Sequence, residues 1–177
     1  MIDPDSEDTV IVYTDGSSWN GQGGWAFYMR FQGQQAIRYG FKKAKATNNQ
    51  MELTAILRAL QHVPASNRHR FPILLYTDSQ YCQKALTQWV WSWAKHGWKT
   101  SNGSPVKNKG LVLKTAVLLR HHQTFREVEI RWVRGHSGIP ENEMVDSSAN
   151  NARKNGVTNW SKKDLLTRLE YHPPGGD

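Results

Sequence analysis

The sequence predicts an α/β fold built around a mixed β-sheet. Two apolar runs, residues 10–14 and 73–77, have the composition of buried strands. Each run ends in Tyr-Thr and is followed by Asp and then by a small residue. A segment with helical periodicity separates them, and a helical connection is typical of parallel strand pairs. Short strands that follow the first run in quick succession predict an antiparallel meander. The sheet is therefore expected to contain both parallel and antiparallel pairs.

The first half of the chain supplies the meander and one helix. The predicted elements are, in order, strands over residues 9–14, 25–31 and 36–41, a helix over 49–63 and a strand over 72–77. A glycine-rich stretch, residues 21–24, predicts the tight turn after the first strand, and Gly33 ends the second. Met51, Ile56 and Leu60 belong to an apolar stripe with helical spacing, which Pro64 terminates.

The second half of the chain is mainly helical. The predicted elements are helices over residues 79–86, 88–96 and 111–122, a strand over 128–133 and a helix over 141–155. Gly97 ends the second of these helices, and a polar loop over 100–108 follows it. The strand alternates apolar and polar residues, and Pro140 stands immediately before the last helix.

Length and composition favour one domain with a full-sized core. Its expected boundaries are a flexible N-terminus over residues 1–8, the domain itself over 9–155, and a C-terminal extension over 156–177. The extension is expected to form a short helix capped by Ser161, followed by a flexible tail. No apolar run approaches the length of a membrane span, and the acidic start is unlike a signal peptide. Because Cys82 is the only cysteine, we expect a reducing, cytoplasmic compartment.

The net positive charge of the protein is confined to one segment. The chain has 23 Lys and Arg residues against 15 Asp and Glu residues, a net charge of +8. Residues 79–126 contain eight basic residues and no acidic residue, whereas the rest of the chain is balanced. Such asymmetry predicts binding to a polyanion, most often nucleic acid, and a solvated basic face is the alternative.

Asp15 and Asp78 follow the two Tyr-Thr-Asp strands at equivalent positions. If the strands are neighbours, both carboxylates lie at the same edge of the sheet, where ligands of α/β proteins gather. The alternative is that each aspartate caps a turn or a helix. Glu52 and Asp146 border the apolar faces of their predicted helices, although Glu52 could simply favour the helix dipole.

Four converging carboxylates would repel one another without cations. Oxygen ligands suit Mg²⁺ or Mn²⁺, and no Cys/His spacing supports zinc. His136 lies between Gly135 and Gly138 after the last strand, where a mobile imidazole could transfer protons near neutral pH. A surface histidine without a role is the alternative.

Type 1 ribonuclease H is the family that these residues resemble. The resemblance rests on Thr14-Asp15-Gly16-Ser17, Thr47-Asn48-Asn49-Gln50-Met51-Glu52, Tyr76-Thr77-Asp78-Ser79-Gln80 and Gly135-His136-Ser137-Gly138-Ile139-Pro140-Glu141-Asn142-Glu143, continued to Asp146. It runs from about residue 9 to residue 154 in the family's order. It implies a five-stranded mixed sheet of order 3-2-1-4-5 with helices on both faces. It also implies an endonuclease that hydrolyses the RNA strand of RNA–DNA hybrids, leaving 3′-hydroxyl and 5′-phosphate ends.

The resemblance also implies roles for individual residues. Asp15, Glu52, Asp78 and Asp146 become metal-binding catalytic acids, and His136 becomes the mobile-loop histidine that assists proton transfer or product release. Two Mg²⁺ ions roughly 3.5–4 Å apart, for which Mn²⁺ can substitute, would clamp the attacking water and the leaving oxygen of an in-line displacement. Asp15, the most central acid, is the candidate to bridge both ions.

The basic segment resembles the family's basic protrusion, which holds the DNA strand. The residues concerned are Trp89, Trp93, Trp98, Lys95, His96 and Lys99. Aromatic and cationic side chains of this kind pack on sugars and pair with phosphates, whereas Trp91 is expected to belong to the core. The resemblance further implies a pocket for a DNA phosphate at Thr47 and Asn108. It implies minor-groove contacts from Asn20, Asn48 and Gln80, since amides can read ribose 2′-hydroxyls there.

Two other functions are compatible with such a fold. One is a nuclease for duplex DNA related to integrases or resolvases, which lack the tryptophan-rich protrusion. The other is a non-catalytic hybrid-binding module, which would be expected to have lost at least one acid. We expect a free-standing, monomeric enzyme of bacterial or phage type with no obligate protein partner and no membrane association.

Overall fold

The fold is described from a computed structural model, which covers residues 1–161. Five strands form one sheet in the order β3-β2-β1-β4-β5. They are β1 (Val10–Trp19), β2 (Gln22–Phe31), β3 (Gln34–Lys42), β4 (Ile73–Thr77) and β5 (Val128–Trp132). β1, β2 and β3 pair antiparallel, while β4 is parallel to both β1 and β5. The predicted strand order and mixed pairing are confirmed.

Five α-helices accompany the sheet. They are α1 (Asn48–His62), α2 (Gln80–Lys84), α3 (Val90–Lys95), α4 (Lys109–Gln123) and α5 (Pro140–Asn155). A capping box fixes the start of α1, because the Thr47 hydroxyl accepts from Gln50 N and the Gln50 side chain accepts from Thr47 N. Among residues 1–161, every helix is too short or too polar to cross a membrane.

The helices lie on both faces of the sheet, as predicted. Along β2, Phe27 packs with Leu53 of α1 and with residues of α4 in the largest core cluster. Its neighbour Ala26 faces the other way and packs with Val145 and Ala149 of α5. This alternation follows from the two-residue period of a strand, and it gives each helix layer its own apolar partner.

The β1–β2 hairpin differs from the sequence prediction. The turn is Asn20-Gly21, with φ of 52° and 76°, and β1 extends to Trp19 instead of ending at residue 14. Asn-Gly is the preferred pair for a two-residue hairpin turn, since both positions need positive φ. Gly24, placed in the turn by the prediction, belongs to β2, where it pairs with Ser17 of β1. Glycine is needed there because a Cβ would lie 2.0 Å from the Ala149 carbonyl oxygen.

The helical segment after β4 is also more continuous than predicted. A π-helical turn, Ala85–Trp89, joins α2 to α3 without a break at residue 87. π-turns of this kind occur mostly within helices and frequently at functional sites. The helices predicted separately over 79–86 and 88–96 therefore form one continuous helix that contains a π-helical turn.

The chain segments that flank the domain pack against the sheet. The first residues, expected to be flexible, contact it: Ile2 is buried with Ile11 and Leu74, and the Thr9 hydroxyl donates to the Asp3 carbonyl oxygen at 2.6 Å. A single isoleucine in an acidic segment forms no pattern that sequence analysis can detect. The predicted helix and tail beyond Ser161 lie outside the described residues.

Residues 157–160, which we call the edge strap, run along β3 after α5. Asn159 N donates to the Tyr39 carbonyl oxygen at 3.0 Å, and Tyr39 N donates to Asn159 Oδ1 at 2.7 Å. The Thr158 hydroxyl accepts from Phe41 N at 3.2 Å. Trp160 then packs edge-on against Trp25, with the Arg58 guanidinium 4.3 Å from its ring centroid.

Candidate active site

Three carboxylates converge where the parallel pair of β1 and β4 ends. The last pair of residues in that ladder is Thr14 with Thr77, so Asp15 and Asp78 are the next residues on adjacent strands. α1 contributes Glu52, and oxygen atoms of all three carboxylates lie within 4.8 Å of one another. Asp15 does not end its strand as the sequence suggested, since β1 continues by pairing Asp15 with Ala26 of β2. The predicted proximity of Asp15 and Asp78 is nevertheless present.

Two glycines allow the acids to approach so closely. A Cβ on Gly16 would lie 2.3 Å from the backbone nitrogen of Glu52, so only glycine lets α1 pack this near to β1. A Cβ on Gly135 would lie 2.9 Å from Asp78 Oδ2. On the backbone side, Trp132 Nε1 donates to the Asp78 carbonyl oxygen at 2.9 Å, which ties the end of β4 to β5.

The protein environment disfavours negative charge at all three positions. Burial, together with the nearby Asp78 charge, raises the pKa of Asp15 to about 7, although the Gly16 N–H donates to its Oδ1 at 2.9 Å. Burial and the charge of Asp15 raise the pKa of Glu52 well above its usual value. Burial and the charge of Asp146 raise the pKa of Asp78. Such shifts are typical of catalytic and metal-binding carboxylates.

The donor set fits a hard divalent cation. Glu52 Oε2 is fully buried and has no hydrogen-bond partner among the described residues. Buried carboxylate oxygens rarely remain unpaired, because desolvation is costly unless a cation or a donor compensates. All ligand atoms are oxygens, which suits Mg²⁺, Mn²⁺ or Ca²⁺ and argues against zinc.

A second group of ionisable residues lies beside the first. Asp146 of α5 has Glu143 and His136 as neighbours, with one ligand atom of each within 4.8 Å of the others. The charge of Asp146 contributes to the raised pKa of Asp78, so this second group interacts with the group formed by Asp15, Glu52 and Asp78. His136 has φ of 53° on an exposed loop, and its Nδ1 lies 3.9 Å from Glu143 Oε2.

Glu143 was not predicted as a site residue, although it belongs to the motif. An acid in the first turn of a helix is explained by the helix dipole alone. Its proximity to His136 depends on the loop conformation, which spacing in the sequence does not reveal.

The predicted protrusion is a partly exposed aromatic surface. Trp89 is exposed, whereas Trp93 and Trp98 are half-buried and pack against the main core. The rings of Trp89 and Trp93 are 5.6 Å apart between centroids, and those of Trp93 and Trp98 are 6.4 Å apart. A groove of about 580 Å³ is lined by Trp89, Ser92, Trp93, His96, Lys99, Thr100 and Ser101. Lys95 is exposed at the end of α3 but does not line this groove. Trp91 packs against the main core, as predicted, beneath the guanidinium of Arg120.

The predicted minor-groove residues lie at the β1–β2 turn and at the starts of α1 and α2. Asn48, at the start of α1, accepts hydrogen bonds from Ser18 N and Ser18 Oγ, both at 2.9 Å, which fixes α1 to the hairpin that carries Asn20. Gln80 is exposed at the start of α2.

Thr47 and Asn108 are engaged separately, and no hydrogen bond joins them in the described part of the chain. Thr47 caps α1, and Asn108 Nδ2 donates to the Tyr81 hydroxyl at 3.5 Å.

Comparisons with known proteins agree with this geometry. The RNase H family model matches residues 7–154. Ribonuclease H of Xanthomonas campestris pv. campestris (strain 8004) is 41% identical over 145 residues, which cover 81% of this chain and 91% of that protein. Ribonuclease HI of Neisseria meningitidis serogroup B is 39% identical over 144 residues, covering 80% and 93%.

Solved structures share the fold. LC9-RNase H1, described as a type 1 RNase H with the type 2 active-site motif, superposes with a TM-score of 0.70 at 27% identity, covering 91% of this chain and 82% of that one. The foamy viral protease-reverse transcriptase in complex with an RNA/DNA hybrid gives a TM-score of 0.65 at 18% identity, covering 82% and 20%, and shows the common fold alone. The match over residues 7–154 and the identity of about 40% establish that this chain belongs to the ribonuclease H family.

Proposed function

We propose that this protein is an endoribonuclease that hydrolyses the RNA strand of RNA–DNA hybrids, leaving 3′-hydroxyl and 5′-phosphate ends. The observation that carries the proposal is the buried group Asp15–Glu52–Asp78, whose oxygens lie within 4.8 Å of one another in a chain of the ribonuclease H family. The partly exposed aromatic groove in the basic part of the chain supports a nucleic-acid substrate.

The four acids Asp15, Glu52, Asp78 and Asp146 would hold two divalent cations, with Mg²⁺ preferred and Mn²⁺ as a substitute. When bound, such a pair supplies a nucleophilic hydroxide and neutralises the charge that develops on the leaving oxygen. Asp15 is the most central of the acids, because its pKa is influenced by Glu52, Asp78 and Asp146 alike. Because protons compete with cations for carboxylates whose pKa values are raised, we expect cation affinity to increase with pH.

His136 is suited to carrying protons between the site and solvent. Its side chain is 79% exposed, and Glu143 faces Nδ1. This arrangement leaves Nε2 available to exchange a proton with the leaving group or with the product.

Substrate binding would use three sets of residues outside the group of acids. The tryptophan groove with Lys95, His96 and Lys99 would hold the DNA strand, and Thr47 with Asn108 would take a DNA phosphate. Asn20, Asn48 and Gln80 would read the minor groove. The Ser18 hydrogen bonds fix Asn48 to the β1–β2 hairpin, whose turn contains Asn20. This connection supports a common role for the two asparagines.

Several sequence predictions remain part of this proposal. They are the domain boundaries at residues 9 and 155, the monomeric state, the lack of an obligate protein partner and the cytoplasmic location.

The experiment that tests the proposal is cleavage of one end-labelled 18-mer as RNA–DNA hybrid, RNA duplex and DNA duplex, with Mg²⁺, Mn²⁺ or EDTA. We expect metal-dependent cutting of RNA in the hybrid only. Asp15→Asn should reduce cleavage by about 10³-fold or more while leaving hybrid binding and the fold intact. Asp5→Asn, at an exposed position, is the matched control.

Three results would reject the proposal. Turnover by Asp15→Asn at the wild-type rate would show that Asp15 does not belong to the catalytic site. Tight hybrid binding without cutting under either metal would indicate a binding module. Cutting of the DNA duplex would indicate a nuclease of the resolvase kind.

A further inference from the structure

A ring of three hydrogen-bonded side chains joins β1 to α5 beside the acids. Ser17 Oγ donates to Asn150 Oδ1 at 2.8 Å. Arg153 donates twice, from Nε to Ser17 Oγ at 3.0 Å and from Nη2 to Asn150 Oδ1 at 3.3 Å. All three residues are half-buried, so water competes less for these bonds than on an open surface.

The ring determines the orientation of the Asn150 amide. Its oxygen receives two donors, from Ser17 and Arg153, so the NH₂ group must point the other way. That group donates to the Asp146 carbonyl oxygen at 3.0 Å and to Asp146 Oδ1 at 3.3 Å. The carboxylate of Asp146 is thus held by an amide whose orientation is set from β1.

The ring lies between the two elements that carry Asp15 and Asp146. Ser17 follows Asp15 by two residues and shares its face of β1, since side chains alternate along a strand. Asn150 stands one helical turn after Asp146. Close approach of α5 is possible because Gly24 has no side chain, and a Cβ there would lie 2.7 Å from Arg153 N.

We propose that Asn150 is a positioning residue that holds the Asp146 carboxylate in the geometry required for cation binding, with Ser17 and Arg153 fixing the Asn150 amide. This inference rests on the proposed function, which makes Asp146 a cation ligand. Hydrogen bonds behind a ligand orient it, and their loss typically lowers metal affinity or activity by about 10–100-fold. The alternative is that the ring only fastens α5 to the sheet, in which case its loss would change stability alone.

The test compares Asn150→Ala, Ser17→Ala and the control Asn151→Ala, whose exposed amide is next along α5. Mn²⁺ affinity is measured by calorimetry without substrate, alongside kcat and KM for the hybrid and thermal unfolding. We expect Asn150→Ala to bind Mn²⁺ about tenfold more weakly and to lose kcat with an unchanged KM. Ser17→Ala should weaken Mn²⁺ binding by about threefold, because Arg153 still holds Asn150 Oδ1. Ser17→Thr, which keeps the hydroxyl, should restore the wild-type affinity.

Mn²⁺ affinity of Asn150→Ala equal to that of Asn151→Ala would overturn the positioning role, whatever the two unfolding temperatures are. If Asn150→Ala fails to fold, Ser17→Ala and Ser17→Thr decide, since a purely structural ring predicts no difference in their Mn²⁺ affinity. Wild-type protein that binds Mn²⁺ but cuts no hybrid would reject the proposed function and leave the calorimetric comparison valid. Absence of Mn²⁺ binding by the wild type would overturn both.

Discussion

Buried polar groups occur at both ends of the parallel strands, but the two ends provide for them differently. At the carboxyl ends, Asp15, Glu52 and Asp78 face one another, and Glu52 Oε2 has no donor among the described residues. At the amino ends, Arg126 is 7% exposed and donates from Nη2 to the Pro64 carbonyl oxygen at 2.6 Å and from Nη1 to that of Phe71 at 3.4 Å. His122, fully buried nearby, places Nε2 2.7 Å from the Leu60 carbonyl oxygen.

The difference separates a structural polar cluster from the group of acids that we propose to be catalytic. Arg126 donates to the carbonyl groups of Pro64 and Phe71, so its charge has partners within the protein. Arg126 Nε and His122 Nδ1 have no hydrogen-bond partner among the described residues. The carboxylates gather like charges in a buried place, which reduces stability unless something from outside compensates. The two clusters therefore differ in charge: one arginine with carbonyl partners lies at the amino ends, whereas three carboxylates lie together at the carboxyl ends.

The variant with the largest expected effect is Glu52→Gln, which removes the carboxylate charge and keeps the shape of the side chain. We expect cleavage to fall by about 10³-fold or more. The free energy of unfolding in EDTA at pH 8 should rise, because a carboxylate with a raised folded-state pKa loses stability as pH increases through that pKa. Urea unfolding and hybrid cleavage would be measured on the same preparation. A fall in metal-free stability would contradict the contrast.

At the opposite end, Arg126→Met should act on stability alone. The carbonyl groups of Pro64 and Phe71 would lose a charged donor in a buried place, and we expect a loss of about 3 kcal/mol in the free energy of unfolding. Below the unfolding transition, kcat should equal the wild-type value. Arg70→Met, at an exposed arginine with one bond to a carbonyl group, should change stability by less than about 0.5 kcal/mol.

The third test concerns the pH dependence that His122 contributes to the free energy of unfolding. Burial lowers its pKa from 6.5 to about 4, so the folded protein keeps the imidazole neutral while the unfolded chain takes up a proton below pH 6.5. The stability that depends on the neutral form is therefore lost between pH 6.5 and pH 4, by about 3 kcal/mol over the whole range. The difference in unfolding free energy between wild type and His122→Gln, followed over this range, isolates the effect. His121→Gln, at the exposed neighbouring position, is the matched control.

The sequence predicted the elements and acids that depend on local patterns. The repeated Tyr-Thr-Asp placed Asp15 and Asp78 on neighbouring strands, and the helix between them made the pair parallel. Helix periodicity placed Glu52 and Asp146 at the borders of buried faces. These features needed only spacing and burial, which a sequence carries directly.

Features that depend on distant packing could not be predicted in this way. Gly24 reads as a turn residue, and only the position of α5 shows why a strand needs glycine there. Arg126 reads as one more base in a basic segment, since its carbonyl partners belong to other parts of the chain. Ser17 and Asn150 are separated by 133 residues, and neither is conspicuous alone.

The edge strap has a consequence for the behaviour of the protein at high concentration. β3 lies at one edge of the sheet, and an uncovered edge can recruit a strand from another molecule and begin fibrous aggregation. Asn159 uses both its backbone and its amide to occupy groups of Ile37 and Tyr39 that an incoming strand would need. The edge strap thus covers part of the β3 edge, and we expect its loss to favour aggregation at high protein concentration.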